Sequence, residues 1–110
     1  MAMARQVIFS NEVDLYLDEL TILLFEKNYF SFPGDAKAYV DRMVKYMRTY
    51  IGILPDRPAP QYFSRYAPDL YYITYHANQN TLWYGFYQQS LNIFIVRHIT
   101  NSHIAAQYFV

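Results

Sequence analysis

The chain begins with a short β-like segment and continues with the periodicity of a helix. Residues 5–10 are mostly β-branched or aromatic, which predicts a first strand. From Glu12 to Lys27 apolar residues recur every three or four positions, as they do on the buried face of an amphipathic helix. Asn11 can cap this helix, because its side-chain oxygen can accept a backbone N–H of the first turn. The apolar face consists of Val13, Leu17, Leu20 and Leu24.

A second helical pattern follows a break at 32–34, where Phe-Pro-Gly interrupts the first. Asp35 is the predicted cap of this second helix, and Gly52 and Pro55 are expected to end it. Three prolines within 55–60 then predict a stiff, extended connector. The apolar face of the second helix consists of Val40, Val44, Met47 and Ile51.

The last third of the chain has the pattern of three short strands joined by hairpin links. Residues 77–81 and 88–91 are polar and turn-prone, and both have hairpin length. The tail from Ser102 to Tyr108 is predicted either as a short helix capped by Ser102 or as an added edge strand. The three predicted strands are 71–76, 82–87 and 92–100.

The element order β-α-α-β-β-β predicts an α+β fold, in which two helices pack on one face of an antiparallel sheet. A length of 110 residues suits a single domain, 1–110, with one modest core. Strand alternation places Arg97 and His98 on opposite faces of the last strand. Both faces are largely apolar, so alternation leaves open which of the two residues lies on an open surface.

Composition narrows the classes of function. The formal net charge is zero and cysteine is absent, so no global field attracts nucleic acid, and disulfides and thiolate metal sites are excluded. The N-terminus has no apolar segment typical of a signal peptide, and the longest apolar run, 22–25, is far too short to span a bilayer. We therefore expect a cytoplasmic protein without a cofactor.

Ionisable groups are distributed unevenly in the last third. No carboxylate follows Asp69, whereas Arg97 and all three histidines, His76, His98 and His103, lie beyond it. A sheet without carboxylates that carries imidazoles and tyrosines suggests a surface that faces an anion or a nucleic-acid base. The spacing of the histidines matches no helical or zinc-finger pattern, so no metal site is predicted. His98, within an apolar strand, is expected to be structural.

Aromatic residues make up 20% of the chain. Those of the middle predicted strand have two interpretations. They could stack on bases, as aromatic residues on RNA-binding sheets do, or they could simply form the core. The core interpretation is favoured, because tyrosine and tryptophan bury large apolar surfaces and keep one polar tip. The residues concerned are Trp83, Tyr84, Phe86 and Tyr87.

Roughly the last forty residues resemble the RelE/ParE superfamily of bacterial toxins. The resemblance rests on a tyrosine-led strand and hairpin over 71–84, and on an apolar strand that leads into a basic turn over 95–103. The family has the β-α-α-β-β-β order in a similar length, and the two helices match only in order and length. The resemblance implies the toxin of a type II toxin–antitoxin pair, with a cognate antitoxin as partner.

The departures from the family pattern concern its cations. RelE-type ribonucleases carry lysine or arginine along the second strand, at the start of the third and just after the fourth, and a tyrosine near the C-terminus. Here Tyr108 lies within one residue of the tyrosine position, and His76 and His103 occupy further positions that are basic in the family. The remaining basic positions are occupied by Tyr72, Thr74, Thr81 and Asn101.

If the chain cuts RNA, we expect His76 and His103 to act as acid and base, because imidazole titrates near neutral pH. Each cationic contact missing from the transition state costs about 2–4 kcal/mol, so the lost cations argue against cleavage by the RelE route. By the resemblance, the candidate residues are His76, His103 and Tyr108 for catalysis and Thr81, Asn101 and Arg97 for substrate binding.

Two other functions suit the same sequence. A ParE-like toxin would poison DNA gyrase by binding and would need no catalytic cluster. A non-catalytic interaction module would use the toxin fold only to hold a protein partner, served by long apolar faces and many tyrosines. The candidate partners are therefore an antitoxin, the ribosome with its mRNA, DNA gyrase, or a second copy docked through the apolar tail 104–110.

Overall fold

A computed structural model describes residues 4–27 and 32–109 of the chain. The elements follow one another as strands, helices and a β-meander, with two 3-10 helices at Gln61–Arg65 and Ala106–Phe109. The strands and α-helices are β1 (Gln6–Phe9), α1 (Asn11–Glu26), α2 (Pro33–Tyr50), β2 (Arg57–Pro58), β3 (Tyr71–Asn78), β4 (Thr81–Ser90), β5 (Ile93–Asn101) and α3 (Ser102–Ala105).

The strands form a five-stranded sheet in the order β1-β5-β4-β3-β2. The α+β class is confirmed, but the sheet is mixed rather than antiparallel, because β1 pairs with β5 in parallel. One element, β2, is added to the predicted order and pairs with β3 at the sheet edge. The tail after β5 forms the short helix α3, which was one of its two predicted alternatives. Pro58 lacks a backbone N–H, which restricts β2 to two residues at an edge. The long connection that parallel pairing needs runs from β1 to β5 and contains α1, α2 and the strands β2 to β4.

The predicted helix caps were wrong by small shifts. Ser10 caps α1, since its Oγ accepts the backbone N–H of Val13 at 3.2 Å, and Asn11 is already helical. Phe32 precedes α2 without a side-chain cap, and Asp35 lies within the first turn, where a carboxylate favours the helix dipole. At the other end of the chain Asn101, rather than Ser102, caps α3.

The first face of the sheet is covered by α1 and α2, which contact β5 and β3 respectively. Gly85 allows α2 to pack closely on β4, because a Cβ at this position would lie 2.7 Å from Met47 Sδ. No helix in the stretches 4–27 and 32–109 is long and apolar enough to cross a membrane. The core on this face includes Val13, Leu17, Leu20, Val40, Met43, Met47, Ile51, Trp83, Tyr87 and Val96.

The second face of the sheet is covered too, although no long helix lies on it. Phe63 of the first 3-10 helix is buried and stacks on Phe86 of β4 with ring centroids 4.2 Å apart. Phe109 of the second 3-10 helix stacks on Tyr84 at 4.5 Å. All four aromatic residues of the middle predicted strand are buried, which confirms that they are core. The second core cluster comprises Phe63, Leu70, Tyr84, Phe86 and Ala105.

Candidate functional site

The six residues predicted for a site fall into two groups in the structure. One group, called here the hairpin-end cluster, lies where the β3–β4 hairpin turns and β5 passes into α3. The other two residues, Arg97 and Tyr108, line a cleft at the side of β5. The sequence analysis therefore combined two separate surfaces. The hairpin-end cluster consists of His76, Thr81, Asn101 and His103.

In the hairpin-end cluster, His76 and His103 are exposed on either side of β4. His76 pairs in register with Leu82, and the backbone N–H of Leu82 donates to Ser102 Oγ at 3.2 Å. Because neighbouring strands lie 4.7–4.9 Å apart, two strand spacings put the backbones of His76 and Ser102 roughly 10 Å apart. The two histidines therefore lie at the same end of the sheet.

Thr81 and Asn101 are both tied to the start of α3. Thr81 Oγ1 lies 3.4 Å from His103 Nε2, a weak contact between exposed groups. Asn101 Oδ1 accepts the backbone N–H groups of His103 and Ile104 at 3.0 and 3.2 Å. Its carbonyl oxygen is therefore engaged in capping α3. The cluster offers a hydroxyl and two imidazoles but no permanent cation among its four members.

The cleft, called here the aromatic cleft, has a volume of about 290 Å³ and lies between the first turns of α1, β5 and the two 3-10 helices. Two ring pairs define its walls. Tyr62 and Tyr108 stack at 3.5 Å with planes 8° apart, and Tyr66 and His98 stack at 3.7 Å with planes 9° apart. Tyr16 of α1 also lines the cleft. These nearly parallel pairs fix the orientation of rings from distant parts of the chain.

Arg65 extends the first stack. Its guanidinium lies 3.7 Å from the centre of the Tyr62 ring, and its Nε donates to the Tyr62 carbonyl oxygen at 2.9 Å. A hydrogen bond with Tyr62 raises the pKa of Tyr108. Tyr108 therefore belongs to the same wall of the aromatic cleft as Tyr62 and Arg65.

A β-bulge decides the positions of Arg97 and His98. Phe86 pairs with His98 and Tyr87 pairs with Val96, so Arg97 is the extra residue and the simple alternation stops there. Arg97 is exposed and its Nε donates to Gln88 Oε1 at 2.9 Å.

His98 lies on the second face, where its ring stacks on Tyr66, in agreement with its predicted structural role. Burial lowers the pKa of His98, so its imidazole is neutral at neutral pH. The aromatic cleft is therefore lined by an uncharged histidine, one exposed arginine and the carboxylate of Glu12.

Several residues of the second face were missed by the sequence analysis. Tyr62, Arg65 and Tyr66 sit in and just after the first 3-10 helix, and their spacing of three and four residues is a helical signal that could have been recognised. Arg57 was also missed: it lies 4.4 Å from the centre of the Tyr72 ring and donates to Thr74 Oγ1 at 3.1 Å. These arginines are held by intramolecular contacts.

The described residues contain no group of three His, Asp or Glu side chains placed to hold a metal ion. Comparison of the sequence with known protein families and with characterised proteins, and of the fold with solved structures, gives no significant match. Any functional conclusion therefore rests on the residues and their geometry.

Proposed function

We propose that the chain is a toxin-like domain of the RelE/ParE kind that acts by binding a protein target, without cutting RNA. The observation that carries this proposal is the covered second face of the sheet. Tyr72, at a position where the resemblance expects a cation, packs against Phe109 with ring centroids 4.9 Å apart. An RNA strand on this surface would have to displace the 3-10 helices that bury Phe63 and Phe86.

The chemistry of the remaining groups supports binding over cleavage. Attack of a ribose hydroxyl on phosphate needs an acid, a base and cationic stabilisation of the developing charge. The hairpin-end cluster holds two histidines and no arginine or lysine. Arg97 donates a hydrogen bond to Gln88, and the Arg65 guanidinium stacks on the Tyr62 ring. Rearranging either arginine toward a phosphate would break contacts that the folded chain already makes.

The fold shares only part of the element order that the resemblance predicts. It contains a first strand, two helices and an antiparallel meander, but β2 precedes the meander and α3 follows it, so the order differs. The proposal brings with it a cognate antitoxin as partner and a DNA gyrase as a candidate target. Both are expectations that follow from the resemblance.

The proposal is tested by expressing the chain in growing bacteria and measuring growth and the recovered binding partners. A His76→Ala/His103→Ala double variant should behave as the parent does, because binding needs neither imidazole. Gln79→Ala, in the same exposed hairpin, is the matched control. Loss of toxicity in the double variant alone would contradict the proposal.

Ribosome-dependent RNA cleavage is the second candidate, and one contact favours it. The 3.4 Å approach of Thr81 Oγ1 to His103 Nε2 places a hydroxyl and an imidazole together at an exposed edge. His76 lies at the same end of the sheet and could serve as the second acid or base. Under this alternative, message fragments would accumulate on expression and the His76→Ala/His103→Ala variant would stop producing them.

A further inference from the structure

The outward side of α1 carries large apolar residues that the rest of the chain leaves uncovered. Leu15 and Ile22 are 60% and 57% exposed, and Phe25 is also exposed. They lie at positions i, i+7 and i+10, which fall on one side of a helix. The buried face of α1 is the opposite one. Leu23 is also exposed but points to one side of these three residues. We call Leu15, Ile22 and Phe25 the α1 stripe.

Carboxylates surround the α1 stripe, and Asp18 lies within it, between Leu15 and Ile22 on the same side of the helix. Five of the chain's nine acidic residues lie in α1, and residues 11–26 contain no lysine or arginine. Within the described stretches the one ion pair joins Lys37 to Asp41 of α2, so no α1 carboxylate is neutralised by a described side chain. An apolar strip with acidic borders is complementary to an apolar strip with basic borders. The five carboxylates are those of Glu12, Asp14, Asp18, Glu19 and Glu26.

A second copy of this chain does not provide that complement. Two α1 helices packed on each other would set acidic borders against acidic borders, which costs free energy. The helix α2 has basic side chains, but Tyr50 is the one exposed large hydrophobic residue among its described positions. The α2 helix of a second copy would therefore leave the α1 stripe uncovered. The charge pattern therefore favours a different protein.

We propose that the α1 stripe is the docking site for a basic amphipathic helix of a partner protein. The partner's apolar side chains would cover Leu15, Ile22 and Phe25, and its lysines or arginines would meet the flanking carboxylates. From Leu15 to Phe25 the stripe runs about 15 Å, nearly three helical turns. This inference rests on the proposed function, because it names the surface by which the domain binds and the chemistry of its partner.

The test measures binding of a synthetic Leu/Lys amphipathic helix of about 18 residues to the purified chain. Ile22→Ser should weaken binding about tenfold or more, since it removes an apolar anchor from the centre of the stripe. Ile53→Ser is the matched control, because Ile53 is 64% exposed but lies outside α1, and it should leave affinity unchanged. Thermal denaturation serves as the check that both variants, which are altered at exposed positions, remain folded.

Charge variants test the borders independently. Glu19→Lys, at the edge of the stripe, should weaken binding and reduce its salt dependence, whereas Asp69→Lys, outside α1, should change it little. Equal binding of a peptide with scrambled sequence and the same composition would overturn the proposal. So would equal losses in Ile22→Ser and Ile53→Ser, or self-association of the chain that Ile22→Ser abolishes. RNA cleavage by the chain would overturn the proposed function instead, so the two failures are distinguishable.

Discussion

At the scale of single residues, His98 shows how the aromatic cleft controls a titratable group. The imidazole stacks on Tyr66 at 3.7 Å and its other neighbours include Phe86. Burial lowers its pKa below the ordinary value of 6.5. The neutral ring is a good stacking partner, whereas a charged ring would lose hydration in the cleft.

This lowered pKa predicts an acid-dependent stability. The unfolded chain takes up the His98 proton at a higher pH than the folded chain does, so stability is complete above pH 6.5 and falls as pH decreases below it. His98→Phe keeps the stacking and removes the titration, and it should flatten the dependence of unfolding free energy on pH between about 7 and 5. An identical acid dependence in parent and variant, measured by urea denaturation, would refute this assignment.

A second residue-scale prediction concerns Tyr87. Its hydroxyl donates to Asp56 Oδ1 at 2.6 Å and ties the proline-rich connector to β4. Burial, with a contribution from Asp56, raises the pKa of Tyr87, so the hydroxyl remains a donor throughout the neutral range. Tyr87→Phe should destabilise the fold by about 1–2 kcal/mol in urea denaturation. Tyr71→Phe, which alters a neighbouring tyrosine of β3, is the control, and an equal loss there would argue against the Asp56 bond as the cause.

At the scale of elements, the segment that covers the second face decides what the sheet can bind. Phe63 is 1% exposed, and it is the buried residue of a 3-10 helix that has only five residues. The packing of Phe63 is therefore the main contact that holds this helix on the sheet. Phe63→Ala should cost about 3–5 kcal/mol, the range for emptying a buried aromatic site. Leu15→Ala, at a position of α1 that is 60% exposed, should change stability by less than about 0.5 kcal/mol.

Hydrogen exchange of backbone amides provides a second measurement on the Phe63→Ala variant. Amides of β3 and β4 should exchange faster in Phe63→Ala, because the cover of the second face would open more often. If the exchange rates stayed unchanged and the loss of stability were small, the 3-10 helices would not be the elements that protect the second face from solvent.

The element scale also shows what the sequence could predict. Apolar periodicity located α1 and α2 to within a few residues, and β-rich runs located β3, β4 and β5, because these signals are local. The parallel pairing of β1 and the bulge at Arg97 depend on strands distant in sequence. The 3-10 helix at 61–65 is held by contacts with β4 and the C-terminal tail, which local patterns do not report.

The candidate site was predicted less well than the fold, for a physical reason. The structure brings His76, Thr81, Asn101 and His103 to one end of the sheet, because the hairpin turn and the end of β5 meet there. The aromatic cleft brings together tyrosines of the connector and the tail, and only tertiary packing reveals that proximity. The catalytic roles suggested for these residues stay predictions.

At the scale of the whole molecule, the sheet is covered on both faces, by α1 and α2 on the first and by the 3-10 helices on the second. The acidic charge is concentrated in α1, although the formal net charge of the chain is zero. The same helix carries Leu15, Ile22, Leu23 and Phe25, four of the exposed large hydrophobic residues in the described stretches. This coincidence of acidic and apolar groups is the basis on which we propose recognition of a protein.

The most direct test of this account is cell-free translation of a reporter with the purified chain added, followed by analysis of the message. We predict that the message stays intact, with or without inhibition of protein synthesis, and that His76→Ala/His103→Ala gives the same result. A message cut by the parent chain and spared by the double variant would contradict the account. It would show that the hairpin-end cluster is a ribonuclease site despite the covered sheet.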